Sequence, residues 1–209
     1  MATAQTSSSS SDAQASPRKR PKPGERRIQI LQTLAAMLEQ PGAERITTAA
    51  LAARLEVSEA ALYRHFASKA QMFEGLIEFI ETSIFSLLNQ IAERNDASAV
   101  KARHMVTVLL QFAQRNPGMA RVMVGDALVF ENDRLEQRMN QFFERFESSL
   151  RQVLRDQAQA TSSPTPTVDA NVQSSVLVSF VVGRLQRFAR SGYKRLPTEH
   201  LDASLALLT

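Results

Sequence analysis

The 209-residue sequence contains no cysteine and no tryptophan, and it lacks any long uninterrupted apolar run. The absence of cysteine excludes disulfides, thiol nucleophiles and thiolate metal sites, and it is typical of a protein of the reducing cytosol. A helix that spans a bilayer needs about 20 consecutive apolar residues, so we predict no transmembrane segment. The N-terminus is rich in serine and carries no hydrophobic signal sequence, and a cytoplasmic location is therefore expected.

Catalytic and metal-binding motifs are also missing from the sequence. The three histidines, His65, His104 and His200, are far apart and have no second histidine or carboxylate at ligand spacing. The seven glycines are isolated, and they form neither a phosphate-binding loop nor a nucleophile elbow. We therefore predict a protein that acts by binding, with no catalytic residue, no metal site and no cofactor.

The positive charge of the chain is concentrated near its N-terminus. Six cationic residues and one acidic residue lie between Ser16 and Arg27, whereas the net charge of the whole chain is only +4. The residues before this run are of low complexity, so the sequence predicts a disordered basic arm over Met1–Gly24. An arm of this kind either is a solvated leader or lies along nucleic-acid phosphates.

A helix-turn-helix pattern occupies the stretch from Ile46 to Lys69. Its apolar residues recur at helical spacing and can close one small core. These residues are Ile46, Leu51, Ala52, Leu55, Val57, Leu62 and Phe66. Ser58 follows the turn and is placed to cap the second helix. The alternative is three packed helices with a polar outer face, but the concentration of hydrogen-bond donors on one side favours a DNA-binding head.

In a DNA-binding head of this type, the second helix enters the major groove and presents its first residues to base edges. The residues predicted to face the bases are Ser58, Glu59, Ala60 and Ala61. Side chains that carry donors follow where such a helix meets the phosphates. The residues predicted to face phosphates are Tyr63, Arg64, His65 and Lys69. Thr47 and Thr48, outside the core at the start of the first helix, complete the candidate DNA-binding set.

The segment from Arg45 to Lys69 resembles the DNA-binding domain of the TetR family of regulators. The shared features are a helix that opens on Thr-Thr, a second helix that ends in Leu-Tyr-Arg-His-Phe, and a following lysine. The resemblance implies an all-α, TetR-like fold with a three-helix head over residues 25–69 and a helical dimerisation and partner-binding domain over residues 70–209. Glu56 departs from the family pattern, because glycine usually holds this turn position. A left-handed conformation would cost its side chain roughly 1 kcal/mol.

The rest of the chain is predicted to be helical, apart from a mobile loop over Thr161–Thr167. Apolar spacing and cap residues predict helices over 25–40, 68–95, 97–115, 118–130, 133–158 and 169–191, and a short last helix that opens with Pro197 and Thr198. The last two long helices offer more apolar surface than one subunit covers, and Ser175, Ser179 and Gly183 form a strip of small residues. We therefore predict a homodimer that associates through a two-fold four-helix bundle.

Two aromatic residues do not fit the apolar face of the long helix predicted over 68–95. Phe79 and Phe85 project about 120° to either side of the centre of that face. We expect Phe85 to pack in the core or in the dimer, and Phe79, which is flanked by acidic residues, to be an exposed partner contact. Arg115 and Asn116 stand at the next helix junction, where their polar groups either contact a ligand or are merely structural.

The C-terminal half carries a more specific resemblance. The stretches MFEGLIEFIE, RNPG and GDALVFENDRLEQRMNQFFERFE are similar to the nucleoid occlusion members of the TetR family. This resemblance implies a nucleoid-associated homodimer that binds palindromic double-stranded DNA and inhibits polymers of the division protein FtsZ. It also implies that Phe79, Arg115 and Asn116 contact FtsZ. The alternative is a transcriptional repressor that a small-molecule ligand releases from its operator.

Overall fold

The computed structural model describes residues 24–40, 46–129 and 131–209. Within these ranges every regular element is an α-helix, and the predicted all-α fold is confirmed. The helices are α1 (Glu25–Leu38), α2 (Thr48–Arg54), α3 (Glu59–Tyr63), α4 (Lys69–Ala92), α5 (Ser98–Arg115), α6 (Pro117–Met123), α7 (Asp133–Ala160), α8 (Pro166–Arg190) and α9 (Leu201–Leu208). The predicted N-terminal arm, except for its last residue Gly24, lies outside the described residues.

Helices α1, α2 and α3 form a head around one small apolar core. Leu62 and Phe66 are fully buried in it, as the helical spacing predicts. Between α2 and α3, Glu56 adopts a φ of 54°, so the left-handed turn forms although no glycine is present. Ser58 then caps α3, because its Oγ accepts the Ala61 backbone amide at 3.3 Å. Local sequence signals therefore determine the shape of the head.

Helix α4 connects the head to the rest of the molecule as one continuous helix of about 36 Å. The Ser68 Oγ accepts the Gln71 backbone amide at 3.2 Å, which is one half of a capping box. The other half is absent, because the Gln71 side chain accepts the amide of Ala67 instead of the cap residue's own amide. Phe85 packs edge-on against Phe142 of α7, with 5.4 Å between ring centroids, so its expected core packing is confirmed.

The body of the protein is built around the long hairpin of α7 and α8, against which α5 packs. The largest buried side chains at this hairpin belong to Phe142 and Phe146 on α7 and to Phe188 on α8. No helix in the described ranges combines the length and the apolar character that crossing a bilayer requires.

Several helix boundaries differ from those predicted, and three of the differences have a clear local cause. Helix α6 ends at Met123 instead of near residue 130, and Gly125 follows it with a φ of 80°. Helix α8 begins at Pro166, because proline fits the first turn of a helix, where its missing amide has no intrahelical partner. The loop predicted over Thr161–Thr167 therefore loses its last two residues to α8. Helix α9 begins at Leu201, since His200 before it is left-handed, with a φ of 51°.

The far end of α1 is fastened to the body. The Leu38 carbonyl accepts hydrogen bonds from Arg121 Nη1 at 3.3 Å and from the Tyr193 hydroxyl at 3.0 Å. Burial raises the pKa of the Tyr193 phenol above its usual 10.0, so at neutral pH it keeps the proton that it donates. Gly118 of α6 lies so close to α1 that an added Cβ would overlap the Ala35 carbonyl oxygen. These contacts fix the head to the body through α1.

Three ion pairs join α4 to the start of α7 and to Glu131 just before it. The pairs are Lys69–Glu131, Glu74–Arg134 at 2.5 Å and Glu81–Arg138 at 2.6 Å. The hydrogen bond to Glu81 raises the pKa of the Arg138 guanidinium further above its usual range, so the guanidinium stays charged. The first four turns of α4 are therefore tied to the body by charge as well as by apolar packing.

Candidate DNA-binding and partner-binding sites

The first turn of α3 presents small and acidic side chains to solvent. Ser58, Glu59 and Ala60 are exposed and Ala61 is half-buried, so the four residues predicted to face bases lie together at one end of α3. The Ser58 hydroxyl oxygen is already engaged as the helix cap. Since the alanines carry no polar group, contacts to base edges from this turn fall to the Ser58 hydroxyl, which keeps its proton and a second lone pair, and to the Glu59 carboxylate.

Thr47 and Thr48 lie at the start of α2, and each has a structural contact that the sequence did not reveal. The Thr48 hydroxyl donates to Glu59 Oε2 at 2.5 Å, which links α2 to the first residue of α3. The Thr47 Oγ accepts the Ala50 amide at 3.1 Å and so caps α2. Replacing either threonine would therefore perturb the head as well as any contact with DNA.

Donor-bearing side chains surround the C-terminal end of α3. Tyr63, which is 46% exposed, Arg64 and His65 all face solvent, as predicted for phosphate contacts. Arg27 of α1 supports this end, because its guanidinium donates to the His65 carbonyl at 2.9 Å and lies 4.0 Å from the centroid of the Phe66 ring. The sequence prediction missed this role, since Arg27 belongs to the basic run that was attributed to the arm.

Lys69 is placed differently from the other predicted phosphate contacts. Its ammonium is paired with the Glu131 carboxylate, and the two side chains are only 18% and 10% exposed. The ammonium also lies 5.6 Å from the centroid of the Phe73 ring. A contact between Lys69 and a phosphate would therefore require the pair with Glu131 to open.

The three residues predicted to contact a partner lie on one edge formed by α4 and α5. Phe79 is 50% exposed and packs against Phe112 of α5, with 6.0 Å between ring centroids. Arg115 is exposed one turn beyond Phe112. Asn116 precedes α6 but does not cap it with its side chain, because its amide turns back and donates to the Phe112 carbonyl at 2.8 Å. Phe112, a half-buried ring of α5, therefore contacts both Phe79 and Asn116.

The described residues contain no group of three or more histidine, aspartate or glutamate side chains that could hold a metal ion.

An open groove with a volume of about 920 Å³ runs between the segment after α6 and the hairpin of α7 and α8. Apolar side chains in its lining include Met123, Val129, Met139, Phe143, Val178 and Val182. The groove is therefore a surface feature of the hairpin instead of an enclosed chamber.

Comparisons with known proteins agree with this geometry. Residues 30–76 match the family described as bacterial regulatory proteins of the tetR family. Residues 96–209 match the SlmA-like family described as a tetracyclin repressor-like C-terminal domain. The TetR family transcriptional regulator PfmR of Thermus thermophilus superposes with a TM-score of 0.70 at 20% identity, over 86% of this chain and 93% of that one. The fold and these matches define a helix-turn-helix regulator of the TetR class.

Two relatives define the branch within this class. The nucleoid occlusion factor SlmA of Vibrio cholerae is 52% identical over 185 residues, which are 88% of this chain and 94% of the relative. The nucleoid occlusion factor SlmA of Idiomarina loihiensis is 51% identical over 178 residues, which are 85% of this chain and 90% of the relative. The chain belongs to the SlmA family.

Proposed function

We propose that this protein is a DNA-binding homodimer that acts as a nucleoid occlusion factor and inhibits FtsZ polymers over the chromosome. Its membership of the SlmA family supports this function, since the relatives match along nearly their whole length. The partner-binding half of the proposal depends on Phe79. Its aromatic ring is half-exposed on a solvent-facing side of α4, where a polar side chain is expected unless the surface binds a partner.

DNA binding is assigned to the head over residues 25–69. Helix α3 enters the major groove, with Ser58, Glu59, Ala60 and Ala61 toward the base edges. Tyr63, Arg64 and His65 donate to phosphates on either side of the groove, and Thr47 and Thr48 approach from the start of α2. Lys69 is paired with Glu131, so we assign it a phosphate contact that forms only when DNA binding opens this ion pair.

Dimerisation is assigned to α7 and α8, within the proposed body of residues 70–209. The outer face of α8 carries Val168, Val172 and Val176, all exposed in the single subunit. Beside them the strip of Ser175, Ser179 and Gly183 is also exposed, and nothing lies within 4 Å of a Cβ added at Gly183. Small residues let two helices approach closely, so this face suits a two-fold four-helix bundle.

FtsZ binding is assigned to the edge of α4 and α5. The paired rings of Phe79 and Phe112 offer an apolar anchor, and the exposed Arg115 offers a cation next to it. An extended segment that carries both apolar and acidic side chains fits this combination. We assign Asn116 to the same contact through its half-buried amide, although its internal bond to Phe112 leaves it fewer free donors.

The test separates the two binding activities by substitution. Phe79→Ala should leave binding to a palindromic duplex unchanged and should abolish the effect on FtsZ polymers, as measured by sedimentation. Leu207→Ala is the matched control, because it removes another exposed apolar side chain, on α9. Loss of FtsZ inhibition in both variants, or in neither, would remove the assignment of the partner site.

Chromatin mapping decides between nucleoid occlusion and the alternative of a ligand-released repressor. Nucleoid occlusion requires many palindromic sites dispersed over the chromosome. A single occupied site beside its own gene, together with release of the protein by a small metabolite, would establish the repressor instead.

A further inference from the structure

A second cationic surface lies at the end of α8, far from the head in sequence. The chain contains no acidic residue from Ala170 to Thr198, while five cationic residues lie within this range. One of them, Arg184, is engaged internally, because its guanidinium donates to the Glu199 carbonyl at 2.8 Å. The other four side chains are exposed, and we call them the α8-end patch: Arg187, Arg190, Lys194 and Arg195.

The α8-end patch is not neutralised by internal ion pairs, although one carboxylate, that of Glu199, lines the same groove. None of its four side chains forms an ion pair with a carboxylate in the part of the chain that the structure describes. Three of the four line an open groove of about 620 Å³, whose remaining wall is Leu196, Thr198 and Glu199. Like charges at this density repel each other, so an anionic partner would lower the electrostatic free energy of the surface.

The patch lies at the end of the body that adjoins the head. The hydroxyl of Tyr193, next to the patch residue Lys194, bonds to the last residue of α1, Leu38. The last turns of α8 also contact the segment after α6, because the Gln186 amide donates to the Val124 carbonyl at 3.4 Å. That same segment ends at Glu131, which pairs with the first residue of α4. The patch is therefore on the side of the body that faces the DNA-binding head.

We infer that the α8-end patch binds phosphates of the same DNA duplex that the two heads hold. The inference rests on the proposed function, since α8 carries the proposed dimer face and would bring two copies of the patch near the two-fold axis, between the heads. Guanidinium and ammonium groups are the usual phosphate partners, and such contacts add affinity without adding sequence information. The patch therefore increases the affinity for the middle of the palindrome without reading its sequence.

The test uses the full chain and a single palindromic duplex, with affinity measured across a range of salt concentrations. Lys194→Gln combined with Arg195→Gln should weaken binding and should reduce the slope of log K against log salt by about 1–2 per subunit, since each phosphate contact contributes about 0.9. Arg94→Gln combined with Lys101→Gln is the matched control. It removes the same charge near the end of α4 that is farther from the head, where Lys101 donates to the Ala92 carbonyl at 2.9 Å, and it should leave the slope unchanged.

Helical circular dichroism and dimer mass confirm that both double variants are folded, and the reversal Lys194→Glu with Arg195→Glu should deepen the loss. Equal slopes for the patch variant, the control and the unchanged protein would overturn the inference while leaving the head's DNA binding intact. The inference would also be overturned if the patch variant kept the salt slope on this duplex but no longer bound a second DNA duplex, because the patch would then serve another DNA molecule. A loss of FtsZ binding alone, with DNA binding unchanged, would overturn it as well. Failure of the unchanged protein to bind the palindrome would instead refute the proposed function itself.

Discussion

Replacing Gly118 with alanine tests how closely α6 is packed against α1. The added Cβ would overlap the Ala35 carbonyl oxygen and would lie 3.1 Å from the Leu38 Cβ. The oxygen belongs to the backbone of a helix whose end is held by Arg121 and Tyr193, so it cannot rotate away. We expect overpacking to cost about 3 kcal/mol. A gain in helix propensity of up to about 1 kcal/mol offsets part of this, which leaves a net loss of about 2 kcal/mol.

Urea unfolding, followed by helical circular dichroism at one protein concentration, measures this loss. With a slope of about 2 kcal/mol per M, the midpoint of Gly118→Ala should fall by about 1 M. Gly75→Ala is the control, because its Cβ would meet only the Leu31 side chain, at 3.0 and 3.1 Å, and a flexible side chain can move aside. We expect its midpoint not to fall, because a gain in helix propensity of up to about 1 kcal/mol in the interior of α4 offsets the cost of moving Leu31. If Gly118→Ala were as stable as the unchanged protein, the close approach of α6 to α1 would be wrong.

Three further substitutions test the head, its link to the body and the dimer. Tyr63→Phe should weaken binding to the palindrome by about 1 kcal/mol, or about fivefold in a fluorescence-anisotropy titration, and an unchanged affinity would remove Tyr63 from the phosphate contacts. Glu131→Gln should lower the free energy of unfolding by about 1–2 kcal/mol and should tighten DNA binding by freeing Lys69; if binding does not tighten, Lys69 does not reach a phosphate. Gly183→Ala should weaken the dimer in sedimentation equilibrium, and a dimer of unchanged strength would place the interface elsewhere.

The helices could be predicted from the sequence because the signals that form them are local. Apolar spacing shows which face of a helix is buried, and Ser58 and Ser68 mark the starts of α3 and α4 through hydrogen bonds that span three residues. The boundary errors at α6, α8 and α9 have separate local causes, which are left-handed residues at Gly125 and His200 and a proline at the start of α8. His200 gave little warning, because a non-glycine residue can adopt a left-handed conformation in a turn at a cost of roughly 1 kcal/mol.

The candidate sites could be predicted only in part. The exposure of both ends of α3 and of Phe79 was expected, because helical periodicity shows which residues lie outside the apolar face of a helix and therefore point to solvent. The roles of Phe112 and Arg27 were not expected. Each depends on a neighbour more than 30 residues away in the chain, Phe79 for the first and His65 for the second.

The sequence by itself determined the all-α class, the helix-turn-helix head and the outward direction of the side chains on α3, since these follow from spacing and capping within a few residues. Only the tertiary structure decided that Lys69 is paired with Glu131 and that the end of α8 lies beside the head. The residues in these contacts are separated by 62 and 155 positions along the chain. Their meeting depends on how whole helices pack, which no local pattern encodes.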